Sequence, residues 1–228
     1  IAGYKTILTH QRLDFALLSL DQIINNASKV HYMYGGRITC PIVIRMIIGR
    51  GWGQGPTHSQ NLQQLFAGIP GLKVVVPATP QNAYSQLRAS IECSDPVIFL
   101  EHRWLHNAKG EIDFSFCKND INNQEILLAG DDVTIVASSY MVPEAIRASK
   151  YLEKRHKLSI ELINLKNYDS SIIKEIITSV KKTGRLIIAD TAQESFTIAH
   201  KIAWEVTEKL NINQTKSVKI ISMPDIPI

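Results

Sequence analysis

A chain of 228 residues, 45% hydrophobic and 20% charged, can bury one large core or two ordinary ones, which excludes a disordered segment. Its 25 Lys and Arg against 21 Asp and Glu give a net charge of +4 with no basic block, which argues against a nucleic-acid-binding protein. Cys40, Cys93 and Cys117 share no metal-ligand spacing and fit a reducing compartment, and no apolar run nears the roughly 18 residues of a membrane span.

Leu13, Ala16, Leu17, Leu20, Ile24 and Ala27 recur at helical spacing and predict a helix over 13–27. Phe15, Leu18 and Ile23 lie off that stripe, so the helix is apolar nearly all round. It is expected to be covered by its own sheet and by a second subunit or a cofactor. Asn25-Asn26 and Gly35-Gly36 break the pattern, and Pro41-Ile-Val-Ile-Arg-Met-Ile-Ile48 then reads as a buried strand.

Four glycines follow within residues 49–55, leaving a backbone open to conformations closed to other residues. Pro56 and Thr57 stop the loop, and Leu62, Leu65 and Phe66 resume helical spacing. One histidine, His58, therefore stands at a loop-to-helix junction just past the end of a strand, where open α/β sheets usually bind ligands. Such a residue can be an ordinary cap, but a neutral imidazole there also suits proton transfer near pH 7. The junction is the candidate active-site wall. The glycines give a G-x-G spacing without the complete G-x-G-x-x-G of a phosphate cradle.

Gly68-Ile-Pro-Gly71 is a turn and Leu72–Pro77 a short strand. Thr79 and Pro80 suit the cap and first position of a helix whose buried side is marked by Ala83, Leu87, Ser90 and Ile91. Pro96–Glu101 is a further strand. Strand, helix, strand in this order is the grammar of a parallel sheet with crossover helices. Residues 102–131 lose the rhythm. The expected division is a first domain over 1–105, a linker over 106–130 and a second domain over 131–228. His102, Arg103, Trp104 and His106 read as a polar surface segment. The second unit predicts strands at Val133–Ala137, Leu158–Leu165, Leu186–Asp190 and Val218–Ile221. Helices lie between them, marked by Val142–Leu152, Ile172–Val180 and Ile198–Leu210. The fold class is α/β, two three-layer domains with largely parallel sheets.

Several strings now occur in a telling order: Gly35-Gly36, Pro41-Ile-Val-Ile-Arg45, Gly55-Pro-Thr-His-Ser-Gln60, Pro70-Gly-Leu-Lys-Val-Val75 and Asp95-Pro-Val-Ile-Phe-Leu-Glu101. Together they resemble the β subunit of the thiamine-diphosphate-dependent 2-oxoacid dehydrogenases, the E1 component of pyruvate, branched-chain and acetoin dehydrogenases. The resemblance implies a transketolase-like pyrimidine-binding domain followed by a transketolase C-terminal domain. It implies an α2β2 assembly with the E1 α subunit, with thiamine diphosphate shared between the chains and magnesium held by α. It also implies oxidative decarboxylation of a small 2-oxoacid and reductive acylation of a lipoyl domain of the acyltransferase (E2) core, with no nucleic acid or membrane involved. The chain alone is expected to be inactive, and its setting to be a bacterial cytoplasm or a mitochondrial matrix.

By the same resemblance His58 matches the active-site histidine, Phe15 the aromatic packed on the aminopyrimidine, and Gln11 a neighbouring cofactor-wall position. The family's monovalent-cation loop would fall near Ile91 and Asp95, where Cys93 and Ser94 depart from its usual wording. The glutamate that activates the cofactor would lie upstream of Ile1, so the chain reads as trimmed. In the second domain Glu194-Ser-Phe196 replaces a Gly-Gly-Phe stretch. Two rival readings stand beside this one. One is a single-chain transketolase or deoxyxylulose-phosphate-synthase-type enzyme, and the other a non-catalytic piece that only binds a partner subunit.

Overall fold

The computed structural model describes residues 2–50, 53–115, 121, 124–168, 172–211 and 214–227. They form two compact units, one of residues 1–121, 167–169 and 226–228, the other of 122–166 and 170–225.

The first unit opens with strand β1 (Thr6–His10), which periodicity did not suggest because four of its five residues are exposed. An irregular helical stretch follows: α1 (Leu13–Ala16), a tight turn at Leu17–Ser19, a π-helical segment at Gln22–Ala27 and α2 (Val30–Met33). The single helix expected over 13–27 is thus broken. Asn25 Nδ2 donates to the Asp21 carboxylate at 2.8 Å and Asn26 Nδ2 to the Asp21 carbonyl at 3.2 Å, local bonds that compete with the regular ladder. The wider turn slips the phase of the helix. Ile23, expected off the stripe, is buried with Leu13, Ala16 and Val30, whereas Phe15 and Leu18 are exposed.

Strand β2 (Ile42–Ile48), a short helical turn at Pro56–His58, α3 (Gln63–Ala67), β3 (Lys73–Val75), α4 (Pro80–Glu92) and β4 (Val97–His102) complete the unit. The sheet order is β1-β2-β4-β3, and every pairing is parallel. Val97 to Leu100 are fully buried in succession, as expected for a parallel strand covered on both faces. The C-terminal ends of β1, β2 and β4 share one edge, where His10 pairs with Met46 and Ile48 with His102.

Helix α4 begins as its sequence suggests: Thr79 Oγ1 accepts from the Asn82 N–H at 3.1 Å, and Pro80 fills the first turn. Thr79→Ala is expected to lower stability by about 1 kcal/mol, read as a lowered midpoint in urea unfolding. Its buried face is more polar than the apolar spacing implied. Asn82, Gln86, Ala89 and Ser90 are buried, while Leu87 and Ile91 are only half-buried against Val43, Val97 and Phe99. Gly71, at φ +92°, closes the turn before β3 with its backbone pressed on Ser28.

The second unit contains β5 (Glu125–Leu128), β6 (Val133–Ser138), α5 (Met141–His156), β7 (Ile160–Leu165), α6 (Ile173–Thr183), β8 (Arg185–Gln193), α7 (Ala199–Lys209) and β9 (Ser217–Met223). Its order is β5-β7-β6-β8-β9, parallel except for β5 against β7. Strand β5 lies inside the stretch read as linker, 106–130. Its four residues are too few to register as a pattern, and Glu125 accepts from Asn164 Nδ2 at 3.2 Å. All six residues of β7 are buried, the polar Glu161 and Asn164 among them.

Hydroxyls tie the layers of this unit together. Thr134 Oγ1 lies 2.6 Å from Ser179 Oγ and 2.7 Å from Thr183 Oγ1. The buried Asp190 carboxylate accepts from Ser138, the Thr191 N–H and Thr197 at 3.0, 2.8 and 2.6 Å. The Glu194–Phe196 turn is anchored by Ser195 N–H on Asp225 at 2.9 Å. Among the described residues no helix is long and apolar enough to cross a membrane.

Candidate active site

The parallel sheet of the first unit delivers its chain ends to one edge, and the glycine loop leaves β2 there. Gly49, at φ +105°, sits under the His102 ring: a Cβ at this position would fall 2.6 Å from His102 Nε2. Only a residue without a side chain permits that approach. Gly51 and Trp52 lie outside the described residues. At the far end of the loop the His58 N–H and the Ser59 hydroxyl both donate to the Gly55 carbonyl, at 3.2 and 2.9 Å. That local turn fixes the direction in which His58 leaves the backbone.

His58 meets Phe15. Their ring centroids are 5.1 Å apart with the planes at 41°. Gln60 Nε2 donates to the Asp14 carboxylate at 2.8 Å, which ties α1 to the segment after the loop. His58 is half-buried, and its Nδ1 is buried with no hydrogen-bond partner among the described residues. A buried ring nitrogen without a partner is costly, so a group able to pair with Nδ1 would be favoured there. Phe15 leaves 45% of its surface to solvent beside it. Gln11 is exposed at the start of the same helical stretch. The structure therefore brings two of the three sequence-chosen residues into contact, and the third lies nearby in the chain.

Sequence reading missed Arg12. It is 6% exposed, donates to the Gly49 carbonyl at 3.4 Å and to the Gln54 side chain, and so staples the start of the irregular helix to both ends of the loop. Burial lowers its pKa, Asp14 opposes that, and Arg103 adds to it. An arginine between two polar residues and a leucine reads as a solvated charge, and no spacing signal marks it. His102 was likewise read as surface, yet it is buried. Desolvation, then His106 and Arg12, pushes its pKa down to about 4. Near Asp95, where the cation loop was expected, the Lys73 ammonium lies 3.7 Å from the carboxylate. Cys93 packs against the core, and burial raises its pKa.

Comparison with known proteins matches residues 1–108 to the family described as "Transketolase, pyrimidine binding domain" and residues 123–228 to "Transketolase, C-terminal domain". The chain is 34% identical over 226 residues to the acetoin:2,6-dichlorophenolindophenol oxidoreductase subunit beta of Cupriavidus necator, covering 99% of the chain and 67% of that protein. It is 34% identical to the pyruvate dehydrogenase E1 component subunit beta of Rickettsia bellii, covering 100% and 70%. Against the 2-oxoisovalerate dehydrogenase subunit beta of Bacillus subtilis the identity is 30%, covering 99% and 69%. The chain thus spans about two thirds of the length of these relatives. A solved structure of a split-gene transketolase, an inactive β4 tetramer, shares the fold at a TM-score of 0.77 and 19% identity, covering 98% of the chain and 68% of that structure.

Proposed function

Because the chain belongs to the family of β subunits of thiamine-diphosphate-dependent pyruvate, 2-oxoisovalerate and acetoin dehydrogenases, we propose that it forms the pyrimidine-side wall of a shared active site. In that site a small 2-oxoacid is oxidatively decarboxylated. The partner that completes the site is an α subunit, which also holds magnesium and the diphosphate, and the acyl acceptor is a lipoyl domain of an acyltransferase core.

The observation that carries this reading is the pair formed by Phe15 and His58. The residues present fit the aminopyrimidine half of the cofactor, since an aromatic ring left 45% exposed stands against an imidazole whose Nδ1 has no partner among the described residues. Thiamine diphosphate, when bound, supplies the electron sink for decarboxylation. Phe15 offers a flat apolar face to a heteroaromatic ring, in the offset or tilted geometry that such rings prefer. His58 holds a proton for charge developing on the substrate oxygen or on the acceptor sulfur. Its orientation is set by the Gly55 turn and by the Phe15 ring. Gln11 stands beside the wall as a polar contact for the ring substituents.

Calorimetric titration of thiamine diphosphate with magnesium, with and without a cognate α subunit, tests the proposal. Binding that requires the α subunit supports a half-site, whereas binding to neither form overturns it. Phe15→Ala in the assembled complex is expected to weaken cofactor binding by roughly tenfold or more, the loss of one well-placed aromatic contact and its buried area. An unchanged affinity would remove Phe15 from the site.

A further inference from the structure

The sheet edge that carries His58 also borders a cavity of about 360 Å³ walled by Arg45, Thr79, Pro80, Glu101, His102 and His106. Arg45 Nη2 lies 2.6 Å from Glu101 Oε2, a neutral pair. Arg12 and Arg103 add two further cations that act on His106, and Asp14 acts on Arg12.

The imidazoles are fixed in tautomer by their neighbours. Arg103 has only N–H groups to offer, so its 3.0 Å contact makes His106 Nδ1 the acceptor, and the proton of the neutral ring sits on Nε2. His106 is exposed, so that Nε2–H is a donor open to a ligand. The Trp104 N–H donates to His102 Nδ1 at 3.3 Å and leaves His102 a neutral wall wedged against Gly49. Burial and the surrounding arginines keep His106 below its ordinary pKa. Arg45 is ion-paired with Glu101, and its guanidinium carries five N–H donors in all. The first turn of α4, a helix of thirteen residues, adds the positive end of its dipole. No group of three His, Cys, Asp or Glu among the described residues could hold a metal ion.

We propose that this cavity is a binding site for a small oxyanion, a carboxylate or a phosphate monoester, held by Arg45 and by His106 Nε2–H at the N-terminus of α4. The site goes beyond the thiamine reading of the His58 wall and does not depend on it.

The test uses the full chain without cofactor or α subunit. Inorganic phosphate and acetate are titrated in separate arms at pH 7, each against chloride at matched ionic strength, while the imidazole C–H resonances of the seven histidines are followed by NMR. The expected result is a saturable shift of His106 in at least one arm, and the arm that saturates names the ligand class. His106→Gln and Arg45→Gln should each weaken that affinity by about tenfold, the size of one hydrogen bond to a charged group. Arg147→Gln, on the exposed face of α5, should leave it unchanged. His106 is exposed, so its variant carries the test even where Arg45→Gln fails to fold. A linear drift equal to that in chloride, a saturable shift confined to His58, or an undiminished affinity in His106→Gln would each overturn the proposal.

Discussion

His58→Ala, in a complex assembled with the α subunit, is expected to slow reductive acylation of a lipoyl domain by about 10²–10⁴-fold, the usual worth of a positioned proton donor. Cofactor affinity should change far less, because the Phe15 ring proposed to face the pyrimidine stays in place. Single-turnover transfer to a free lipoyl domain separates the two effects, since it reads proton donation after the cofactor is loaded. If transfer proceeds at the parent rate, His58 is only a packing partner for Phe15, and the role proposed for it fails. His58→Gln sharpens the comparison: it keeps a hydrogen-bond donor but cannot deliver a proton, so it should resemble the alanine variant.

The largest effect on stability should come from a residue far from that chemistry. Gly71→Ala places a Cβ 2.0 Å from the Ser28 carbonyl oxygen and 3.0 Å from its carbonyl carbon, at a φ of +92° that side-chain-bearing residues rarely adopt. Both obstacles are backbone, so no side-chain rotation relieves them. The turn must move away from the π-helical segment, and a loss of about 3–5 kcal/mol is expected, at the high end for single substitutions. Urea unfolding with equal slopes for parent and variant would measure it. A loss under about 1 kcal/mol would mean that the turn and Ser28 part easily, against the close approach described. Gly49→Ala offers a contrast, because the group it strikes is the His102 ring, a side chain rather than backbone.

Much of the fold was legible because buried parallel strands leave predominantly apolar runs. Ile42–Ile48, Val97–His102 and Val133–Ser138 all announced themselves this way. Thr79-Pro80 fixed a helix start for a local reason that tertiary packing did not override. The failures share a cause too. Strands β1 and β5 lie at sheet edges, where one neighbour suffices and side chains stay partly exposed, so neither needs an apolar run. The helical stretch after β1 was read with a constant 3.6-residue period, while Asp21, Asn25 and Asn26 locally change the pitch and turn Ile23 inward. Within the candidate site, the contact of His58 with Phe15 joins two residues singled out by motif wording and by a position off the helical stripe. Arg12 and His102 were not, because their burial is created by residues 37 and 53 positions away in the sequence, through Gly49, which lies against both. A charge or an imidazole carries no mark in sequence of whether distant backbone will close over it.

The open side of β1 has a practical consequence for handling the protein. Among the described residues β1 pairs within its sheet with β2 alone, so one row of its amide and carbonyl groups has no strand partner there, with Ile7 and Leu8 about half exposed along the same strand. Such an edge can recruit an identical strand from another molecule, and nothing in Thr6–His10 supplies the lysine or proline that usually discourages it. Purified alone at high concentration, the chain should therefore form aggregates that bind amyloid-type dyes and build from this edge. An Ile7→Lys variant should delay their onset while leaving the far-UV spectrum of fresh protein unchanged.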